Sequence, residues 1–262
     1  MFHRSILGTL LVMAVTVVSA ASAQDRSRAY VRGAVGYEAA TDTRLADRAC
    51  DAAPLLNFFG CQPGEDGEPI GARGNFGESP GVELAAGLRA LRYLPVEVAL
   101  SHRPGLEFAG NATFLGAGER QPASAEVTQT AVMVRGILDL GPILTRGRIE
   151  PFVGIGVGMS RNRVGDVTYE FPGLAANPAS TTTRGGTHWD LAWDVGAGVA
   201  VRVTSHFLVE GGYRYSDFGW IETDDGPIDV VRGDQRRAID NVAGTRAPLR
   251  IHSVYVGLRR EF

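Results

Sequence analysis

The pairing in this chain best suited to chemistry is a histidine beside carboxylates, because a positioned imidazole can activate water. His188, Asp190 and Asp194 occur at alternate positions, which puts all three on one face of an extended strand. His252 and Ser253 are adjacent, so on a strand they point to opposite faces and cannot work as base and nucleophile. Gly154-x-Gly156-x-Gly158 lacks the lysine and following helix of a phosphate loop. The acidic clusters Glu65-Asp66-Gly67-Glu68 and Asp224-Asp225-Gly226 with Asp229 offer carboxylates for weak Ca²⁺ binding. Neither continues into a complete ligand loop, and both read as solvated turns. Two cysteines, Cys50 and Cys61, lie in a Gly/Pro-rich segment without a nearby histidine. They read as one local disulfide rather than a metal site, worth at most about 3 kcal/mol for so short a loop. A polar network is the default account of His188, Asp190 and Asp194, so no catalytic residue, cofactor or metal is expected.

The elements that position these residues are strands. Period-two alternation recurs in eight segments at 29–38, 81–91, 96–103, 125–138, 149–160, 188–203, 207–216 and 250–262, the signature of half-apolar extended chain. In the fifth, Val153, Ile155, Val157 and Met159 alternate with Phe152, Gly154, Gly156 and Gly158. The connections alternate in length. Those near Tyr93–Pro95, Asp139–Arg148 and Thr204–His206 are short, whereas 39–80, 104–124, 161–187 and 217–249 are long. Short turns on one rim and long loops on the other are the pattern of a membrane barrel; a compact soluble domain rarely carries loops of such length.

The start of the chain fits export. Arg4 precedes an apolar run from Ile6 to Val18, and Ala21-Ser22-Ala23 supplies small residues for cleavage. Residues 1–23 therefore read as a signal peptide and 24–262 as the mature barrel domain. An oxidising compartment beyond the inner membrane suits the two cysteines. All basic residues are arginine, and the net charge of −3 argues against a nucleic-acid partner, which calls for a basic face.

Which face of each strand is inside follows from the charges. Arg32, Arg89, Arg135, Arg202, Arg214 and Arg259 share faces with Glu83, Glu97, Glu150, Asp190, Asp194 and Glu210. Their near balance of sign suits a packed polar lumen, since a buried charge is costly unless paired. The opposite face is Val, Leu and Ile, with Tyr37, Trp189, Trp193, Tyr213, Tyr215 and Phe262 toward strand ends, as in the aromatic girdles of a bilayer-spanning barrel. The expected fold is thus all-β: an eight-stranded antiparallel up-and-down transmembrane barrel with short periplasmic turns and four long extracellular loops.

The last strand ends in Tyr255-x-Gly257-x-x-Arg260-x-Phe262. With Ile149-Glu150-Pro151-Phe152-Val153-Gly154 and Gly212-Tyr213-Arg214-Tyr215-Ser216-Asp217-Phe218-Gly219, it resembles the small outer-membrane barrels typified by the OmpA transmembrane domain, OmpX and the opacity and porin-family proteins. That resemblance implies residence in the outer membrane of a Gram-negative bacterium. It also implies contact with outer-membrane lipid and lipopolysaccharide, and an assembly signal at Tyr255, Gly257 and Phe262 read by the barrel-assembly machinery. Eight strands leave an interior just wide enough for side chains. The leading functional expectation is therefore a non-enzymatic barrel with a filled polar lumen, serving envelope integrity or binding a surface protein ligand through its loops. The rival expectations are a narrow pore for ions or small solutes, and a lipid A-modifying or proteolytic barrel enzyme.

Overall fold

The computed structural model describes residues 29–48, 55–60, 62–64, 67–91, 93–144, 148–176 and 178–262. The expected signal segment 1–23 and both Cys50 and Cys61 lie outside the described residues. The strands are β1 (Ala29–Ala40), β2 (Asp42–Asp47), β3 (Ala72–Asn75), β4 (Glu78–Leu91), β5 (Leu94–Ala112), β6 (Pro122–Asp139), β7 (Ile149–Val164), β8 (Val167–Glu170), β9 (Ala179–Thr183), β10 (Gly186–Arg202), β11 (Phe207–Glu222), β12 (Gly226–Arg232), β13 (Gln235–Val242) and β14 (Thr245–Glu261). Eight of them close a ring in the order β1-β4-β5-β6-β7-β10-β11-β14, each neighbour antiparallel. The ring is sealed where β1 meets β14, from Tyr30 opposite Glu261 to Ala40 opposite Ile251. The eight expected segments match these eight strands, and every strand is longer than its segment.

Alternation sets the two faces of the wall. On β4, Val82 and Leu84 point out while Gly81, Glu83, Ala85 and Gly87 are buried. Leu84 is 68% exposed and Leu191 74% exposed. Contiguous apolar side chains around a whole cylinder would aggregate in water and belong in hydrocarbon. Aromatic rings flank the band. Tyr93, Phe207 and Phe262 are exposed near the rim that carries both ends of the ring, and Tyr37, Trp189, Trp193, Tyr213 and Trp220 toward the other. Arg260 lays its guanidinium over the Phe262 and Phe207 rings, at 5.0 and 5.7 Å from their centroids.

The four long connections on one rim are not irregular loops. Much of that chain is strand. The β2–β3 hairpin docks between β14 and β5, with Thr245 opposite Asp47 and Ala72 opposite Ala112. Beyond β6, the strands β8, β9, β12 and β13 pair in succession. Together they build a cap above the apolar band.

The cap has an apolar interior that includes Leu106, Phe108, Val167, Tyr169, Phe218, Ile221, Leu249 and Ile251. A register shift between Arg103 and Leu106, at Pro104-Gly105, makes this possible on β5. Ser101 and Arg103 face inward below the shift, and Leu106 and Phe108 above it. Without the extra residue, Glu107 would take the inward position of Phe108. A bulge thus re-aims the strand at the height where the surroundings change.

Candidate functional site in the barrel interior

The ion-pair layer is built from seven ring strands. β1 contributes Arg32, β4 Glu83, β5 Glu97, β6 Arg135, β10 Asp194, β11 Glu210 and Arg214, and β14 Arg259. Glu83 is the hub. Its Oε1 accepts from Arg32 Nη2 at 2.6 Å, and its Oε2 from Arg135 Nη2 and Arg214 Nη1, each at 2.8 Å. Arg32 Nη2 also reaches Glu97 Oε1 at 2.6 Å, and Arg135 Nε reaches Asp194 Oδ2 at 2.8 Å. Arg259 Nε lies 3.1 Å from Glu210 Oε1, an ion pair. Tyr30 Oη donates to Glu97 Oε2 at 3.0 Å. Four guanidinium groups therefore meet four carboxylates, and the layer is electrically neutral.

The eighth ring strand, β7, makes room instead. A Cβ on Gly156 would stand 2.7 Å from both Arg135 Cγ and Asp194 Oδ1. Glycine here lets the long side chains cross the lumen. Two small voids beside the layer, of about 10 and 20 Å³, are on the scale of one water molecule.

A second set of pairs lies toward the rim with the short turns. Arg89 bonds Asp139 at 3.0 Å and Glu261 at 2.9 Å. Arg202 bonds Glu150 at 2.8 Å and Glu261 at 2.9 Å. On the cap side, Arg103 Nε approaches Glu38 Oε2 at 3.2 Å, and the Arg103 guanidinium stacks 4.5 Å from the Phe218 ring centroid. Ser253 hydrogen-bonds the same Glu38. Tyr255 faces the lumen beneath Arg214, whose guanidinium lies 4.8 Å from the ring centroid.

Of the residues singled out in the sequence, Arg32, Glu83, Arg89, Glu97, Arg135, Glu150, Asp194, Arg202, Glu210, Arg214 and Arg259 thus come together in the interior. Asp190 does not. The β10–β11 ladder stops at Trp193 opposite Asp217, where β11 shifts register before Trp220. The shift strips backbone groups of their ladder partners, and side chains replace them. Asp190 Oδ2 accepts the Trp220 N–H at 2.9 Å, and Asn162 Nδ2 donates to the Phe218 and Trp220 carbonyls at 2.8 and 2.9 Å. Asp190 is therefore a backbone cap of the wall, not a member of an ion pair.

The same geometry disperses the histidine–carboxylate trio. His188 Nδ1 lies 3.4 Å from Glu222, Asp190 holds Trp220, and Asp194 is committed to Arg135. The acidic clusters are engaged too. Asp225 takes the Gly244 N–H at 2.8 Å and pairs with Arg48, while Asp229 meets Arg236. The amide bond pulls the Asp225 carboxyl below its ordinary range, with Arg48 adding to the effect. Glu65 and Asp66 lie outside the described residues.

Several network members went unnoticed in the sequence. Asp139 and Glu261 share a strand face with Arg135 and Arg259, so phase alone could have found them. Arg103 sits one residue before the Pro-Gly bulge, where alternation is interrupted.

The closed ring, its lipid-facing band and its neutral charged interior define an eight-stranded transmembrane barrel. The chain belongs to the family of outer membrane protein beta-barrel domains, which matches residues 7–235. Solved structures to which the chain is similar include Neisserial surface protein A, at 15% identity over 91% of this chain and 100% of that one, with a TM-score of 0.44. Another is OprG from Pseudomonas aeruginosa, at 14% identity over 91% and 98%, with a TM-score of 0.46. A third is the outer membrane protease OmpT from Escherichia coli, at 11% identity over 93% and 100%, with a TM-score of 0.48. No curated protein matches the chain.

Proposed function

We propose that this protein is a closed, non-enzymatic barrel that fixes a rigid β-structured cap at the outer surface of the outer membrane, for envelope integrity and contact with a surface protein ligand. The observation that carries the reading is the neutral, buried layer centred on Glu83. It spans the lumen, and the two voids beside it are each about the size of a water molecule. Its charged side chains pair with one another across the lumen, so opening a path means separating buried charges, which is strongly unfavourable. The dispersal of His188, Asp190 and Asp194 among separate partners favours no catalysis at that rim.

Planar-bilayer recording tests this directly. The expected result is no large, stable conductance from the wild-type protein. Steady channels that change when Arg135 or Glu150 is replaced would establish a narrow pore instead. Turnover of lipid A or peptide that disappears in His188→Ala would establish an enzyme.

The same reading includes export with cleavage after Ala23, a Cys50–Cys61 disulfide, and recognition of Tyr255, Gly257 and Phe262 by the barrel-assembly machinery. Lipid and lipopolysaccharide then surround the apolar band. Outer-membrane fractionation, an N-terminal sequence of the mature protein and a mass measured with and without reductant check these points.

A further inference from the structure

The cap holds a half-open cavity of about 340 Å³, lined by Leu56, Phe58, Phe114, Phe171, Ile228 and Arg232 among others. That volume is in the range of small-molecule sites, which are apolar with a few polar groups. The aromatic walls are ordered against one another. Phe58 meets Phe114 edge-on at 5.4 Å between centroids, and Phe114 meets Phe171 at 5.6 Å. The Arg232 guanidinium then lies over the Phe171 ring, 5.1 Å from its centroid.

Arg232 differs from the arginines of the lumen. Its Nη1 donates to the backbone carbonyls of Ser180 at 2.9 Å and Val231 at 2.7 Å, which fixes the head group in place. Its Nε and Nη2 donate to no acceptor among the described residues, and no carboxylate pairs with it there. The layer around Glu83 gives each of its guanidinium groups a carboxylate. Here a guanidinium is held by main chain, stacked on an aromatic wall, and left with donors suited to an oxyanion.

We propose that the cap cavity is a binding site for an aromatic monocarboxylate of fused-ring size. The rings would lie among Phe58, Phe114 and Phe171, where offset or edge-on packing is favourable, and the carboxylate would meet Arg232. A cavity of about 150 Å³ takes one benzene, so this one suits about a dozen non-hydrogen atoms. A single negative charge is specified because apolar walls cannot solvate a second one. The site lies in the cap, so it stands or falls apart from the closed-lumen reading, which conductance decides.

The test uses the full mature protein in lipid nanodiscs, with 2-naphthoate as probe and 2-naphthalenemethanol as its neutral counterpart, each followed by titration calorimetry against empty nanodiscs. The expected result is saturable binding of the acid, at least about tenfold tighter than the alcohol, as a charge-assisted bond gives. Arg232→Gln should erase that preference while the alcohol still binds. Ile228→Trp should fill the cavity and abolish binding of both. Retained heat-modifiability on a gel confirms that each variant keeps its barrel. No saturable binding above empty nanodiscs, acid binding unchanged by Arg232→Gln, or binding undisturbed by Ile228→Trp would each overturn the proposal.

Discussion

The lower interior and the cap interior share the ring strands yet follow opposite chemistry. Around Glu83 the inside is charged and the outside is greasy. Around Phe108 the inside is greasy and the outside carries Glu107, Glu126 and Arg163. β6 shows the inversion within one uninterrupted strand. Its inward series runs from Arg135 through Met133, Ala131 and Gln129 to Val127 and Ala125, while its outward series runs from Val134 and Val132 to Thr128, Glu126 and Ser124. The backbone phase never changes there. What changes is the medium beyond the wall: lipid beside the lower half, water beside the cap. A barrel leaving the bilayer reverts to the pattern of a soluble protein, and β5 and β11 add a bulge to reach it.

The largest expected effect strikes the charged half. Glu83→Ala leaves three arginines facing one another in a buried space, and removing one partner of a buried pair costs about 3–5 kcal/mol. The midpoint of urea unfolding, read by heat-modifiability, should fall accordingly, and a variant as stable as wild type would show that the layer is not needed to hold the barrel shut. In the apolar half, Phe108→Ala removes a ring that is 1% exposed and should cost about 3 kcal/mol. The loss should appear as faster proteolysis of the cap with the membrane ring intact. Simultaneous unfolding of both would merge the two regions into one cooperative unit.

Smaller still is Gly219→Ala. The glycine has φ of +73°, and an added Cβ would fall 2.3 Å from Asp190 Oδ2. A strained left-handed residue costs about 1–3 kcal/mol, and the Trp220 amide should exchange faster as its bond to Asp190 is displaced. The mildest test is acidification of the cap. The Asp225 carboxyl is held below its ordinary value of 3.8 by the Gly244 amide and Arg48. A depressed folded value means the stabilisation is present above pH 3.8 and disappears as pH falls through the lower folded value. Protection of the Gly244 amide should therefore stay constant from pH 7 to about 5 and drop only in stronger acid.

The ring was legible because alternation has one dominant cause along each spanning segment. Glu83 and Val82 announce inside and outside once lipid is assumed. The cap was hidden because Ala123, Ala125 and Val127 are in phase with Arg135, so a single rule for the lumen assigns them a polar neighbourhood they do not have. Asp190 was misjudged for a related reason. Its phase on β10 is inward, like Asp194, but a register shift on the neighbouring strand gives it a backbone amide to satisfy. Pairwise register is a tertiary property that periodicity along one strand does not contain.

The seal between β1 and β14 joins strands from opposite ends of the sequence, down to the bond from the Phe262 amide to the Ala29 carbonyl at 3.1 Å. Until the final strand arrives, the sheet is an open curl with two raw edges, each able to recruit a stranger. Maturation should accordingly be slow and governed by that last encounter, because contacts so distant along the chain carry the greatest loop-closure cost.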